Sequence, residues 1–176
     1  MENNKNFIYG VAQLLLGSID LGWIEKGSFD WGGKKGESVD IEAEQVPDAP
    51  VLVITQSNGT IAPTFNLIKL TYENFQKVLG GSLEGKEGAY TGWNAPTSLV
   101  DITGKITIKF VSGRKVEIPN AKLSANLGGK LALTEVSKLE CELKVMKPED
   151  GTSAPYSISD VTEENTQQEA STQQDA

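Results

Sequence analysis

Asp40, Glu42 and Glu44 occupy alternate positions in a short stretch, with Glu37 and Asp48 close by in sequence. On an extended strand, side chains two residues apart leave the same face and sit ~7 Å from one another. Carboxylates so spaced suit a calcium site or the acid pair of a glycosidase. The glycine and ligand order of an EF-hand are missing, however, and either chemistry needs further groups from other strands. The plain reading is a solvated acidic face. Gly80-Gly-Ser-Leu-Glu-Gly85-Lys86-Glu87 comes within one residue of a phosphate-binding loop. That motif requires Ser or Thr after its lysine to hold magnesium, and Glu87 would instead repel the phosphates. The segment also follows a helical pattern and not a strand, so a flexible glycine-rich connection is expected. Trp23, Trp31 and Trp93, with Tyr90, are the residue types of a sugar-stacking platform, but three scattered indoles read first as core or subunit-interface residues. Asn58-Gly59-Thr60 has the form of a glycosylation sequon and is read as a turn.

Composition narrows the chemistry further. The 176 residues suit one domain of ordinary size and include no His and one Cys. Ser-His-Asp and Cys-His triads and His-based zinc sites are therefore excluded, as are an internal disulfide framework and every CxxC motif. No catalytic, cofactor-binding or metal-ligating residue is assigned, and no enzyme activity, cofactor or metal is expected. The chain carries 16 Lys+Arg against 24 Asp+Glu. Seven of those acids (Glu149, Asp150, Asp160, Glu163, Glu164, Glu169 and Asp175) fall in residues 148–176, which contain no base. The body is nearly neutral, and neither part has the basic field that nucleic-acid binding needs. Residues 7–17 resemble a signal h-region but are interrupted by Gln13 and followed by no small-residue cleavage site. No run approaches the ~20 apolar residues of a membrane helix. The expectation is a soluble protein without membrane anchoring.

The elements that must position these residues are mostly strands. Val39, Ile41 and Ala43 alternate with Asp40, Glu42 and Glu44, the two-residue period of a sheet with one dry face. Val51–Thr55 and Thr60–Leu70 flank Asn58-Gly59, a dipeptide suited to a type I′ turn, which predicts a hairpin there. Pro63 cannot donate to a ladder and places its strand at an edge or a bulge. Ile106, Ile108 and Phe110 form one strand, Ser112-Gly113-Arg114 a turn, and Val116 and Ile118 begin the return. Leu139, Cys141, Leu143 and Val145 alternate with charged residues, which predicts Cys141 buried and inert. In Thr71–Gly80 the apolar Tyr72, Phe75, Val78 and Leu79 fall at helical spacing, with Thr71 as cap and Gly80 after the last turn. That predicts a short helix whose apolar stripe lies on a sheet. Residues 120–130 fit a turn, a strand or a helical piece equally well.

Three segments carry a wider resemblance: Thr71-Tyr-Glu-Asn-Phe-Gln-Lys-Val-Leu-Gly-Gly81, Asn6-Phe-Ile-Tyr-Gly10, and Leu127-Gly-Gly-Lys-Leu-Ala-Leu-Thr-Glu-Val-Ser137. Over about residues 5–147 the chain resembles the major tail tube proteins of tailed bacteriophages. In that family a Thr-x-Glu-Asn-apolar segment ending in Leu-Gly-Gly forms the single helix outside a β-sandwich. Thr71, Glu73, Asn74, Phe75, Leu79, Gly80 and Gly81 match it.

The resemblance implies a mainly β fold, a β-sandwich or partly open barrel with one short flanking helix. The inner sheet would close with those of other copies into an oligomeric β-barrel. Residues 1–147 would form the tail-tube-like domain and residues 148–176 an acidic, polar, flexible extension dispensable for making a tube. The implied function is structural: subunits forming homohexameric, stacked rings, with tape-measure and other tail proteins as partners, in the virion tail and, during assembly, the host cytoplasm. Twenty-four strands at ~4.8 Å spacing and ~40–45° tilt give a backbone diameter of roughly 50 Å. DNA would pass without specific binding, which favours an anionic wall. Asp40, Glu42 and Glu44 are the candidate lumen-facing residues. Lys34, Lys35, Asp48, Lys86 and Trp93 are candidates for loops between subunits. The alternative function is a sugar- or protein-binding β-sandwich module, and a carboxylate enzyme ranks behind both.

Overall fold

The computed structural model of the chain describes residues 6–161. Those residues are mainly β, with one helix. Eleven strands are formed: β1 (Val11–Leu16), β2 (Ile19–Asp20), β3 (Ser38–Ile41), β4 (Leu52–Thr55), β5 (Thr64–Leu67), β6 (Ser82–Lys86), β7 (Ala89–Asn94), β8 (Ile102–Phe110), β9 (Arg114–Gly128), β10 (Lys138–Val145) and β11 (Ser157–Asp160). The helix α1 spans Tyr72–Leu79, between β5 and β6. Seven strands make the main sheet in the order β2-β1-β8-β9-β10-β5, with β11 also on β9. Every strand pair in it is antiparallel. This sheet does not close into a barrel. The pairs β3–β4 and β6–β7 are separate two-stranded sheets.

The main sheet has one dry face because its strands alternate. Leu14, Ile106, Ile108, Val116, Ile118, Leu139 and Leu143 are wholly buried, and Cys141 nearly so. Burying each large aliphatic side chain contributes roughly 1.5–3 kcal/mol. In β9 the alternation slips at Pro119-Asn120. The register with β8 steps from Gly104↔Ala121 to Ile106↔Ile118, so two residues of β9 bulge opposite Lys105. Proline costs the ladder nothing at such a place, since no partner awaits its missing N–H. Beyond the bulge Ala121, Leu123 and Ala125 carry the apolar face, and residues 120–128 are strand.

The helix forms where the spacing predicts. The Thr71 side chain accepts a hydrogen bond from the Asn74 N–H at 3.3 Å, and Gly80 ends the helix at φ +76°. Val78 is buried in the core, with Phe75 and Leu79 packed against it. Tyr72 departs from the expected stripe and is 43% exposed. Asn74 is buried in its place and donates from Nδ2 to the Lys69 carbonyl at 2.6 Å. The first turn thus sits on a polar anchor that apolar periodicity does not register.

Two predicted connections are different in kind. The Asn58-Gly59 hairpin does not form: β4 pairs with β3 (Val39↔Ile54, Ile41↔Leu52), and β5 pairs with β10. The connection lies further out, with turns at Glu44-Gln45 and Pro47-Asp48. Gly59 instead faces Gly36 across the ribbon, where a Cβ on Gly36 would stand 2.5 Å from the Ser57 carbonyl oxygen. These glycines permit a close backbone approach. The Gly80–Pro96 loop is largely the β6–β7 hairpin, with a bulge at Glu84/Gly85 and Gly88 at φ +77° in its turn. Pro63 precedes β5, an end strand of the main sheet, and its carbonyl accepts from the Leu143 N–H. Of the extension assigned to 148–176, the part up to Val161 returns to the sheet: β11 pairs with the start of β9, and Arg114 approaches Asp160. Residues 162–176 lie outside the described residues.

Candidate functional site

The element that stands apart is a long ribbon. Isolated bridges at Ile24↔Leu67, Asp30↔Thr64 and Lys34↔Thr60 lead into the β3–β4 ladder, then to the Ala43↔Val46 bridge at the tip. Directly paired residues of an antiparallel ladder share a face. Val39, Ile54, Ile41 and Leu52 therefore form one apolar face of the arm. Each is between 41% and 51% exposed. The period-2 pattern reads as half-buried, yet among the described residues nothing covers this face.

The acidic trio is split. Asp40 stands in the ladder opposite Val53, on the other face of the arm. The strand ends at Ile41, so Glu42 and Glu44 lie past it and line a hollow at the tip with Asp48. The expected projection of all three from one face of one strand is corrected accordingly. All four acids are exposed, and none enters an ion pair among the described residues. No group of three or more His, Cys, Asp or Glu converges as a metal site among the described residues.

Of the residues expected in loops, Lys34 exchanges backbone hydrogen bonds with Thr60 at 2.9 and 3.0 Å while its side chain stays exposed. Lys35 is exposed beside it, and Lys86 is exposed at the far end of β6. Trp93 is not in a loop. It lies on β7, stacked on Phe75, and its Nε1 donates to the Gly80 carbonyl.

A cleft of about 720 Å³ opens at the root of the ribbon. Lys34 and Thr60 lie on one wall, and Glu142, Lys144, Lys147 and Tyr156 on the other. Lys144, one of the charged residues alternating along β10, and Lys147 are not among the candidate site residues expected from the sequence. A signal for them exists in charge segregation: residues 36–68 hold five acids and no base, whereas 105–147 hold nine bases and four acids.

The three indoles lie apart. Trp31 packs between Phe29 and Phe110, at centroid distances of 5.3 and 5.8 Å. Trp93 belongs to the α1 contact, and Trp23 is 68% exposed with the Lys69 ammonium 5.7 Å from its ring. An aromatic hollow of about 490 Å³ beside Tyr9, Phe29 and Trp31 also contains Glu25. That carboxylate is engaged: Asn66 Nδ2 donates to it at 2.7 Å and Lys138 Nζ at 2.9 Å. The Asn66 bond, then the Lys138 bond, holds it below the ordinary carboxylate range. Burial pushes the Cys141 thiol up to about 12, so it carries no thiolate at neutral pH.

Comparison with known protein families and with curated protein sequences finds no match to this chain.

Proposed function

We propose that this chain is a structural virion protein, the major tail tube subunit of a tailed bacteriophage. Copies self-assemble into stacked hexameric rings that form the conduit for DNA ejection. The observation that carries this reading is the arm: a two-stranded element whose apolar face has no cover among the described residues. An uncovered apolar face on a ladder with free edges calls for a partner chain. Leu131, Leu133 and Val136, free-standing between β9 and β10, add a second uncovered apolar surface. The tail-tube motif supplies the kind of assembly, and its Leu79-Gly80-Gly81 segment closes α1.

In this reading the main sheet joins its counterparts in other copies to close a β-barrel. The helix stays outside, and tape-measure and other tail proteins meet the tube's ends. The polar face of β8, β9 and the start of β10 suits a bore, because most of its cations are already neutralised. Lys105 and Lys115 pair with Glu117 at 2.6 and 3.1 Å, Lys122 with Asp101, and Lys138 with Glu25. Few free ammonium groups remain there to hold a polyanion, so nucleic acid would slide past. Negative-stain microscopy of concentrated purified protein tests the reading. Rings or hollow fibres are expected, and dispersed small particles at every concentration would overturn it.

A further inference from the structure

The arm tip is acidic and the cleft at the arm root is basic, and both sets of charges lack ion-pair partners among the described residues. We propose that the arm tip of one copy seats in the root cleft of a second copy, with Glu42, Glu44 and Asp48 facing Lys34, Lys144 and Lys147. The proposal rests on the self-assembly reading and names the surfaces that meet. It also gives Glu42 and Glu44 a docking role instead of one on the bore wall.

The contact must be between copies. The Lys34↔Thr60 bridge and the β3–β4 ladder hold the ribbon open, and the seven residues from Lys34 to Ile41, four of them in β3, set the tip roughly 20 Å from its own cleft. The acidic segment 162–176 is a poorer occupant. It departs at Val161, whose N–H donates to the Gly113 carbonyl. Tyr156, in the cleft wall, lies on the other side of β11, roughly 17 Å away at strand rise. The segment's four acids, Glu163, Glu164, Glu169 and Asp175, are spread over thirteen residues. The tip presents three carboxylates within seven residues. Inside the cleft Glu142 is the sole acid and stands beside Lys144, so the cleft keeps a net positive charge.

Tip and cleft lie at opposite ends of the same ribbon. Where the tip of each copy seats in the root of a different neighbour, the contact is heterologous and propagates from copy to copy. The uncovered face of Val39, Ile41, Leu52 and Ile54 enters the same contact region, so apolar burial accompanies the charge pairing.

Charge reversal tests this on the full chain. E42K/E44K/D48K makes both tip and cleft basic, and K34E/K144E/K147E makes both acidic. All six side chains are exposed, so circular dichroism should match wild type. Sedimentation velocity at low salt should show each variant self-associating at least about tenfold more weakly than wild type. A one-to-one mixture should recover association, because each tip then meets a cleft of opposite sign. Undiminished association of either variant alone, or a mixture that stays dissociated, overturns the docking and leaves the tube reading in place. Wild type that remains monomeric at every concentration overturns both.

Discussion

The indole of Trp93 lies 5.2 Å from the ring of Phe75, inclined by 26°, while its Nε1 donates to the Gly80 carbonyl at 2.8 Å. One side chain of β7 thus holds both the middle and the end of α1. Trp93→Ala removes the stack and the bond together and should lower stability by about 3 kcal/mol. Trp93→Phe keeps a ring against Phe75 and loses only the bond, for about 1 kcal/mol. Urea denaturation followed by circular dichroism checks the pair, and equal losses would show that the ring contact contributes nothing.

Gly81 is the second anchor of the same corner. It sits at φ +91°, and a Cβ there would stand 2.2 Å from the Asn94 carbonyl oxygen. Gly88, in the turn of the next hairpin, has φ +77° and nothing within 4 Å of an added Cβ. Gly88→Ala should therefore cost only the conformational strain, about 1 kcal/mol. Gly81→Ala must also move backbone and should cost at least about 3 kcal/mol. The two midpoints in urea decide it: similar values would mean that the corner relaxes around the methyl group.

The same glycines explain what was legible in the sequence. Strands with an unbroken two-residue period and a buried face, such as β10 around Cys141, are readable because burial itself imposes the period. The helix is readable from its caps, although Tyr72 and Asn74 exchange the places that the apolar stripe predicts. Glycine-rich stretches mislead, since a glycine placed for close backbone approach, as at Gly36 and Gly59, looks the same as one placed for a turn. The bulge at Pro119 shifts the parity of β9 midway, which hides the second half of its strand. The arm carries a sheet-like pattern with no cover among the described residues, so its sequence reports burial that the described fold does not supply.

Glu25, Asn66 and Lys138 link the ribbon root to β5 and β10, and the linkage has a pH sign. The Glu25 carboxyl is held below its ordinary value, first by Asn66 and then by Lys138. A depressed carboxyl contributes stability that is fully present above its unfolded pKa and is lost as pH falls through the folded one. Glu117, lowered by Lys105 and Lys115, acts in the same direction. Stability should hold from pH 7 down to about 4.5 and then decline. In Glu25→Gln the decline should be shallower. Parallel acid limbs for variant and wild type in urea titrations would refute the assignment.

Cys141 acts at the other end of the pH scale. Its folded pKa of about 12 lies above the ordinary thiol value, so its contribution is present below pH ~9 and is lost as pH rises toward 12. Cys141→Ala should lessen the alkaline loss at a cost of about 1 kcal/mol at neutral pH. The native thiol should resist a disulfide reagent at pH 8 and react fully in urea. Rapid reaction of the folded protein would mean that β10 opens far more readily than its wholly buried neighbours imply.

The last prediction separates burial within one copy from burial between copies. Leu139 is wholly buried, and Leu139→Ala should lower the stability of a single chain by about 3 kcal/mol. Ile41 and Leu52 face each other on the arm and are already half exposed. The double replacement Ile41→Ser with Leu52→Ser should change the stability of the dilute chain by less than about 0.5 kcal/mol. Association at high concentration should fall steeply, because serine removes the apolar area that the partner would cover. Urea denaturation at low concentration and sedimentation at high concentration give the two readings. If the doubly substituted chain unfolds early, the arm is part of the monomer's own core; if it associates undiminished, the partner covers some other surface.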